Sequence, residues 1–272
     1  MAITTIANRK GGVGKTTTAL HVAYLCADTK RPVLYVDLDG QRNGTTNLVD
    51  KDTPEGGVSA TLFSQKCPAP VPSTYKNIDV LAADNELDEL SDVLMTEFSD
   101  LDNPGFTYTE YIDAYMAAFR NNLRRLSQDY AIVVVDTPPS YGIQLSAAMR
   151  STDYVIAPLM PETYSIDGVH KLLDLIKRTQ AEYNPDMEFL GFLLNNVDGR
   201  NVEHRRAVEE IRDGFSDLLF PGFIGHRTPI AKTAGTGLPA WANATAGNTK
   251  AVSRELKKVI CHILKKAVTD HD

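Results

Sequence analysis

Apolar residues fall along this chain in two rhythms. Short, branched, almost wholly apolar runs at residues 3–7, 33–37, 78–82, 132–136, 154–159 and 189–194 read as strands covered on both faces, the signature of a parallel sheet. Between them the spacing turns helical. Ala19, Leu20, Ala23 and Cys26 follow the first run, and Val169, Leu172, Leu173 and Ile176 lie within 166–181, with weaker patterns over 202–212 and 252–268. Strands alternating with helices predict an α/β fold, a doubly wound and mostly parallel sheet whose ligands bind at the carboxyl ends of the strands.

Residues 84–119 fit that alternation least. They read as an acidic helical insertion within a single domain spanning 1–272, with Asp102-Asn103-Pro104-Gly105 as a turn between two helical pieces. Tyr108, Tyr111, Tyr115 and Phe119 recur at spacings of three and four, a stripe expected to be helix core rather than a binding platform.

Composition narrows the class. With 272 residues, 43% apolar and 23% charged, the chain is globular and long enough for one sizeable core. Cys26, Cys67 and Cys261 are odd in number and far apart, so no disulfide framework or iron–sulfur ligand pair is expected, and a reducing cytoplasm is. No run is long and apolar enough to span a membrane. The net charge is −7, yet residues 77–119 hold eleven acids and no lysine or arginine, leaving 24 acids against 28 bases elsewhere. Lys250, Arg254, Lys257, Lys258, Lys265 and Lys266 gather near the C-terminus around a lone Glu255. A polyanion-binding face and a merely solvated helix surface both fit that cluster.

Chemistry concentrates at the strand ends. After the first strand comes Gly11-Gly12-Val13-Gly14-Lys15-Thr16-Thr17, preceded by Lys10 where the full Walker A pattern has its first glycine. Glycines let backbone N–H groups curl around phosphates, and the helix that follows adds its positive end. In this pattern Lys15 reaches the β- and γ-phosphates of a nucleotide, Thr16 offers a hydroxyl to Mg2+, and Thr17 adds a phosphate hydrogen bond. Asp136, ending the run Val133-Val134-Val135 before Thr137-Pro138-Pro139, is expected to sit beside the glycine turn and hold Mg2+ through a coordinated water. Asp37 and Asp39 end another strand, and one of them orients the attacking water; strand alternation leaves the choice open. Asn195 and Asn196 end a further strand, where an amide reads as either a base contact or a turn former.

Together, Lys10 through Thr17, Asp37-Leu38-Asp39-Gly40-Gln41 and Asp136-Thr137-Pro138-Pro139, continued in Ala157-Pro158-Leu159 and Ile166-Asp167-Gly168, resemble the ParA/MinD family of deviant Walker P-loop ATPases. The resemblance covers essentially the whole chain except 84–119. It implies the P-loop NTPase fold and an ATP-bound homodimer. Lys10 would be the signature lysine contacting the partner's phosphates, and Asp39 the catalytic aspartate. Gly40 stands where the family usually has proline. Asn195 and Asn196 lie near the family's base-contacting position.

The implied role is partition of a plasmid or chromosome by a cytoplasmic, nucleoid-associated switch. It would bind DNA non-specifically and respond to a cargo-side or centromere-binding adaptor. Pro138-Pro139-Ser140-Tyr141 resembles the partition branch, and no helix-turn-helix pattern precedes the glycine turn, so operator reading is not expected. No stable membrane association is expected either. The alternatives are a MinD-like membrane-positioning ATPase and a metabolic kinase- or ligase-like enzyme, whose acceptor pocket would involve the loop after Asp136 and His226-Arg227.

Overall fold

The computed structural model describes residues 1–50, 56–102, 105–226, 235–242, 250, 254–258, 260–262 and 264–265. Eight strands form one sheet: β1 (Ala2–Ile6), β2 (Val33–Asp37), β3 (Val71–Pro72), β4 (Ile78–Leu81), β5 (Ile132–Asp136), β6 (Tyr154–Leu159), β7 (Glu188–Val197) and β8 (Leu219–Gly225). Their order is β3-β4-β2-β5-β1-β6-β7-β8. Every pairing is parallel except the short β3 against β4. Among the described residues the sheet is accompanied by α1 (Lys15–Asp28), α2 (Asn43–Leu48), α3 (Glu86–Ser99), α4 (Tyr108–Ser127), α5 (Ile143–Ser151), α6 (Ile166–Glu182) and α7 (Val202–Phe215), and residues 254–258, 260–262 and 264–265 are helical too.

The continuous apolar runs are explained by the two layers. Val33, Tyr35, Ile132, Val134, Tyr154 and Ile156 face α1. Leu34, Val36, Val133 and Val135, the alternate positions, face α3, α4 and α5. Val155, Ala157 and Phe192 pack against α6 and α7. Burying each such side chain stabilises the fold by about 1.5–3 kcal/mol, which outweighs the differences in local propensity.

Two strands escape the apolar pattern. β3 and β8 contain Pro72 and Pro221, and Pro221-Gly222 interrupts the latter run. They form the two outer positions of the sheet, where a missing N–H costs no ladder hydrogen bond. The short α2 and α5 also lack a long apolar period.

The acidic segment forms α3 and α4, with α4 running on to Ser127. Thr107 and Glu110 close a capping box at its start. Met116, Phe119 and Leu123 enter the core. Of the aromatic stripe only Phe119 is fully buried, while Tyr111 and Tyr115 pack at the margin. Asn103 and Pro104 lie outside the described residues, as do Val252, Val259, Ile263 and Lys266 of the C-terminal pattern. Leu256 and Ile260 of that pattern are buried against the α1 layer.

Candidate functional site

Register places the carboxylates. β5 lies between β1 and β2, and Asp136 is aligned with Ile6 on one side and Asp37 on the other. The glycine turn leaves β1 at this edge, with Gly12 at φ 72° and Gly14 at φ 89°, left-handed conformations that glycine adopts without strain. Lys15 then opens α1. Thr137 Oγ1 donates to the Ile6 carbonyl at 2.8 Å, tying the chain after Asp136 to the strand that feeds the turn.

A cavity of about 500 Å3 opens here, lined among others by Gly12, Lys15, Thr16, Thr17, Asp39 and Gln41. Lys15 is 6% exposed, and its Nζ donates to the Lys10 carbonyl at 2.9 Å. Burial lowers its pKa, opposed by the charges of Asp136 and Asp39. Asp136 is fully buried; burial and the neighbouring Asp37 raise its pKa, while hydrogen bonds from Thr16 and Tyr35 oppose the rise. One oxygen accepts from Tyr35 Oη at 3.0 Å, and Oδ1 has no hydrogen-bond partner. An orphaned carboxylate oxygen beside a threonine hydroxyl fits a hard divalent cation that prefers oxygen ligands.

The two aspartates of β2 and its exit separate cleanly. Asp37 accepts from Asp39 N at 3.1 Å, and from Thr45 N and Oγ1 at 2.7 and 2.8 Å. It braces the local chain. Among the bonds described the Asp39 carboxylate accepts one, from Gln41 N at 3.1 Å, and it is the carboxylate on the cavity wall. Gly40 packs so closely against α3 that a Cβ there would run into the Asp88 carboxylate.

Lys10 is exposed and lines a neighbouring pocket with Asn8, Tyr164, Ser165 and Gly168. Its backbone N–H donates to Asn8 Oδ1 at 3.0 Å, and Cε lies 3.9 Å from where a Cβ on Gly168 would stand. The fold thus joins the Lys10 turn to Ile166-Asp167-Gly168, distant in sequence. Asn195 Nδ2 donates to the Val13 carbonyl at 2.9 Å, supporting the glycine turn from beneath. Asn196 faces His226, Oδ1 to Nδ1 at 2.6 Å; Arg227 lies outside the described residues.

Sequence reasoning missed Tyr35 and Thr45, which hold the two aspartates. Tyr35 had a faint signal, a polar hydroxyl inside an apolar run, but its partner sits on a neighbouring strand. It also missed the wall formed by residues 235–242. His21 Nδ1 donates to the Thr17 carbonyl at 2.7 Å, and Nε2 accepts from Ala240 N at 3.2 Å. Trp241 stands edge-on to His21 and donates to Asp28 Oδ2 at 2.8 Å.

Burial depresses the His21 pKa from 6.5 to about 4. The folded protein therefore binds that proton less tightly than the unfolded chain, and this contribution to stability, full above pH 6.5, is lost as pH falls toward 4. His21→Gln should flatten the fall in melting temperature across that window; an unchanged pH profile would refute the coupling.

These features are those of a P-loop nucleotide site on a doubly wound sheet. A family model described as an AAA domain matches residues 1–189. Protein IncC of Escherichia coli is 30% identical over 96% of this chain and 68% of its own. The chromosome partitioning protein ParA of Myxococcus xanthus is 30% identical over 86% of this chain and 78% of its own. The solved structure of cobyrinic acid a,c-diamide synthase from Mycobacterium smegmatis with bound ATP analogue and magnesium superposes with a TM-score of 0.75 at 26% identity, covering 97% of this chain and 94% of that one. The chain belongs to the ParA/MinD family of P-loop ATPases.

Proposed function

We propose that this protein is an ATP-switched dimer that binds DNA without sequence preference and positions a plasmid, a chromosome or other large cargo through a stimulatory partner. Family membership makes it a Mg-dependent ATPase; Mg2+ supplies charge neutralisation on the phosphates. Supporting the reading is the convergence of Lys15, Thr16, Asp39 and Asp136 at one sheet edge, with the Lys10 carbonyl accepting from Lys15 Nζ.

In this reading Gly11, Gly12, Val13, Gly14, Lys15, Thr16 and Thr17 hold the triphosphate, and Thr16 and Asp136 hold Mg2+. Tyr35 fixes the orientation of Asp136. Asn195 keeps the turn in shape, and Asp39 orients water. Lys10 crosses to the partner, so dimerisation depends on ATP, and loss of the γ-phosphate reopens the dimer.

Burial of Leu256 and Ile260 argues against a membrane tail, since insertion requires that face to leave the core. Among the described residues no helix is long and apolar enough to cross a membrane. Among the described helical residues 254–258, Arg254 and Lys258 are exposed, while Lys257 Nζ sits 4.9 Å from the centre of the Trp241 ring.

Lys258→Gln should weaken ATP-dependent binding to unrelated DNA sequences. The salt slope should become shallower by about 0.9 for each phosphate no longer neutralised. Binding measured across a salt series checks this. No DNA binding by the wild-type ATP form at low salt, or turnover that strictly requires an organic acceptor, would overturn the proposal.

A further inference from the structure

The chain leaves β1 between two neighbouring strands, and side chains stitch it to both. On the β5 side Thr137 Oγ1 donates to the Ile6 carbonyl. On the β6 side the parallel ladder aligns Ile6 with Ile156, and Ala7 N donates to the Ile156 carbonyl at 2.9 Å. One residue further, as the backbone enters the glycine turn, Asn8 Nδ2 donates to the Pro158 carbonyl at 2.7 Å. A side-chain amide thus supplies the next rung of the ladder. Its other end works locally: Oδ1 accepts from Lys10 N at 3.0 Å, a turn that asparagine side chains favour. Asn8 is 6% exposed, and these two bonds offset the cost of burying its amide.

Lys10 is therefore held by its main chain on both sides. Its N–H is tied to the sheet through Asn8, and its carbonyl accepts from Lys15 Nζ at 2.9 Å. The two anchors differ in permanence. Lys15 is the ammonium that a triphosphate draws to its own oxygens, and that movement releases the Lys10 carbonyl. Asn8 lines the pocket beside Lys10 and not the phosphate cavity, so its two bonds are left in place when the phosphates arrive. It then becomes the fixed point about which Lys10 turns. Aspartate could make the turn but has no N–H for the Pro158 carbonyl; the amide does both.

We infer that Asn8 is the positioning residue for Lys10: its bridge from the Pro158 carbonyl to the Lys10 N–H sets where that lysine leaves the sheet edge and so lets it reach a second chain. The inference deepens the proposed switch and rests on the exchange of Lys10 between subunits. Asn8 itself touches neither nucleotide nor partner in this scheme. Its effect passes through Lys10 alone, which separates it from a residue that merely supports the fold.

A double-mutant cycle on the full chain tests this. Wild type, Asn8→Ala, Lys10→Ala and the double variant are sedimented with Mg2+ and a non-hydrolysable ATP analogue, and binding of the same analogue is measured on the dilute single chain. Asn8→Ala should weaken dimerisation about 10-fold, within the range of couplings inside one hydrogen-bond network, and leave single-chain nucleotide affinity within about 2-fold of wild type. In the Lys10→Ala background the same substitution should change dimerisation by less than about 2-fold, because nothing remains to be positioned. Where Asn8→Ala fails to fold, the cycle is run with Asn8→Ser, which keeps a hydroxyl for the Lys10 N–H but falls short of Pro158. Equal losses in both backgrounds would overturn the inference, as would unchanged dimerisation by Asn8→Ala or a matching fall in single-chain nucleotide affinity. Full dimerisation by Lys10→Ala is a different result: it would remove the exchange of Lys10 itself, and this inference with it.

Discussion

Replacing Asp39 with alanine should reduce single-turnover ATP hydrolysis by about 100-fold or more, the usual range for losing a group that positions or deprotonates the attacking water. ATP and Mg2+ binding should remain, because Lys15, Thr16 and Asp136 are untouched, and the closed dimer should persist longer. Asp37 separates this outcome from a structural one. Its carboxylate accepts three hydrogen bonds, from Asp39 N and from Thr45 N and Oγ1, so Asp37→Ala leaves buried donors without partners, a loss of about 1–3 kcal/mol for each group. Asp37→Ala is therefore expected to lower the melting temperature, whereas Asp39→Ala is expected to leave it nearly unchanged. Full hydrolysis by Asp39→Ala in single-turnover conditions with saturating Mg-ATP would move the role elsewhere.

Lys10→Ala is expected to leave ATP binding to the single chain largely intact while weakening ATP-dependent dimerisation by about 100-fold. A charge-assisted hydrogen bond contributes about 1.5–3 kcal/mol, a symmetric dimer exchanges two of them, and each 1.4 kcal/mol is tenfold in affinity. Lys10 lies along the first turn of α6 beside Gly168, so crossing to a partner requires it to swing outward. Sedimentation with a non-hydrolysable ATP analogue measures the effect. Equal dimer populations for wild type and variant would refute the exchange.

Much of this site was legible because its chemistry is local. The glycine turn, Lys15 and Thr16 are contiguous, and Asp136 ends an apolar run that no other arrangement explains as well. Strand spacing could not separate Asp37 from Asp39, and only the family resemblance pointed to Asp39, because their difference lies in Thr45, eight residues on from Asp37, and in how the chain folds back. Tyr35 was hidden because its partner belongs to β5, and Asn195, named as a base contact or a turn former, showed nothing of its hydrogen bond to the Val13 carbonyl because the two lie far apart in sequence. At Gly40 an added Cβ would meet the exposed Asp88 carboxylate, which would have to turn aside. In the fold, proline and glycine concealed β3 and β8, whereas β2, β5 and β6 fell where the branched runs begin and end.

The prolines at the two outer strands also bear on crowding. A protein that gathers at high local density on a polymer risks fusing sheet to sheet, since a bare strand offers its N–H and C=O groups to any neighbour. Here Pro72 removes a donor from one margin, and Pro221 with Gly222 removes a donor and bends the other. Copies crowded together, as the proposed DNA-bound state would have them, would then lack the bare strand margins that let sheets fuse edge to edge.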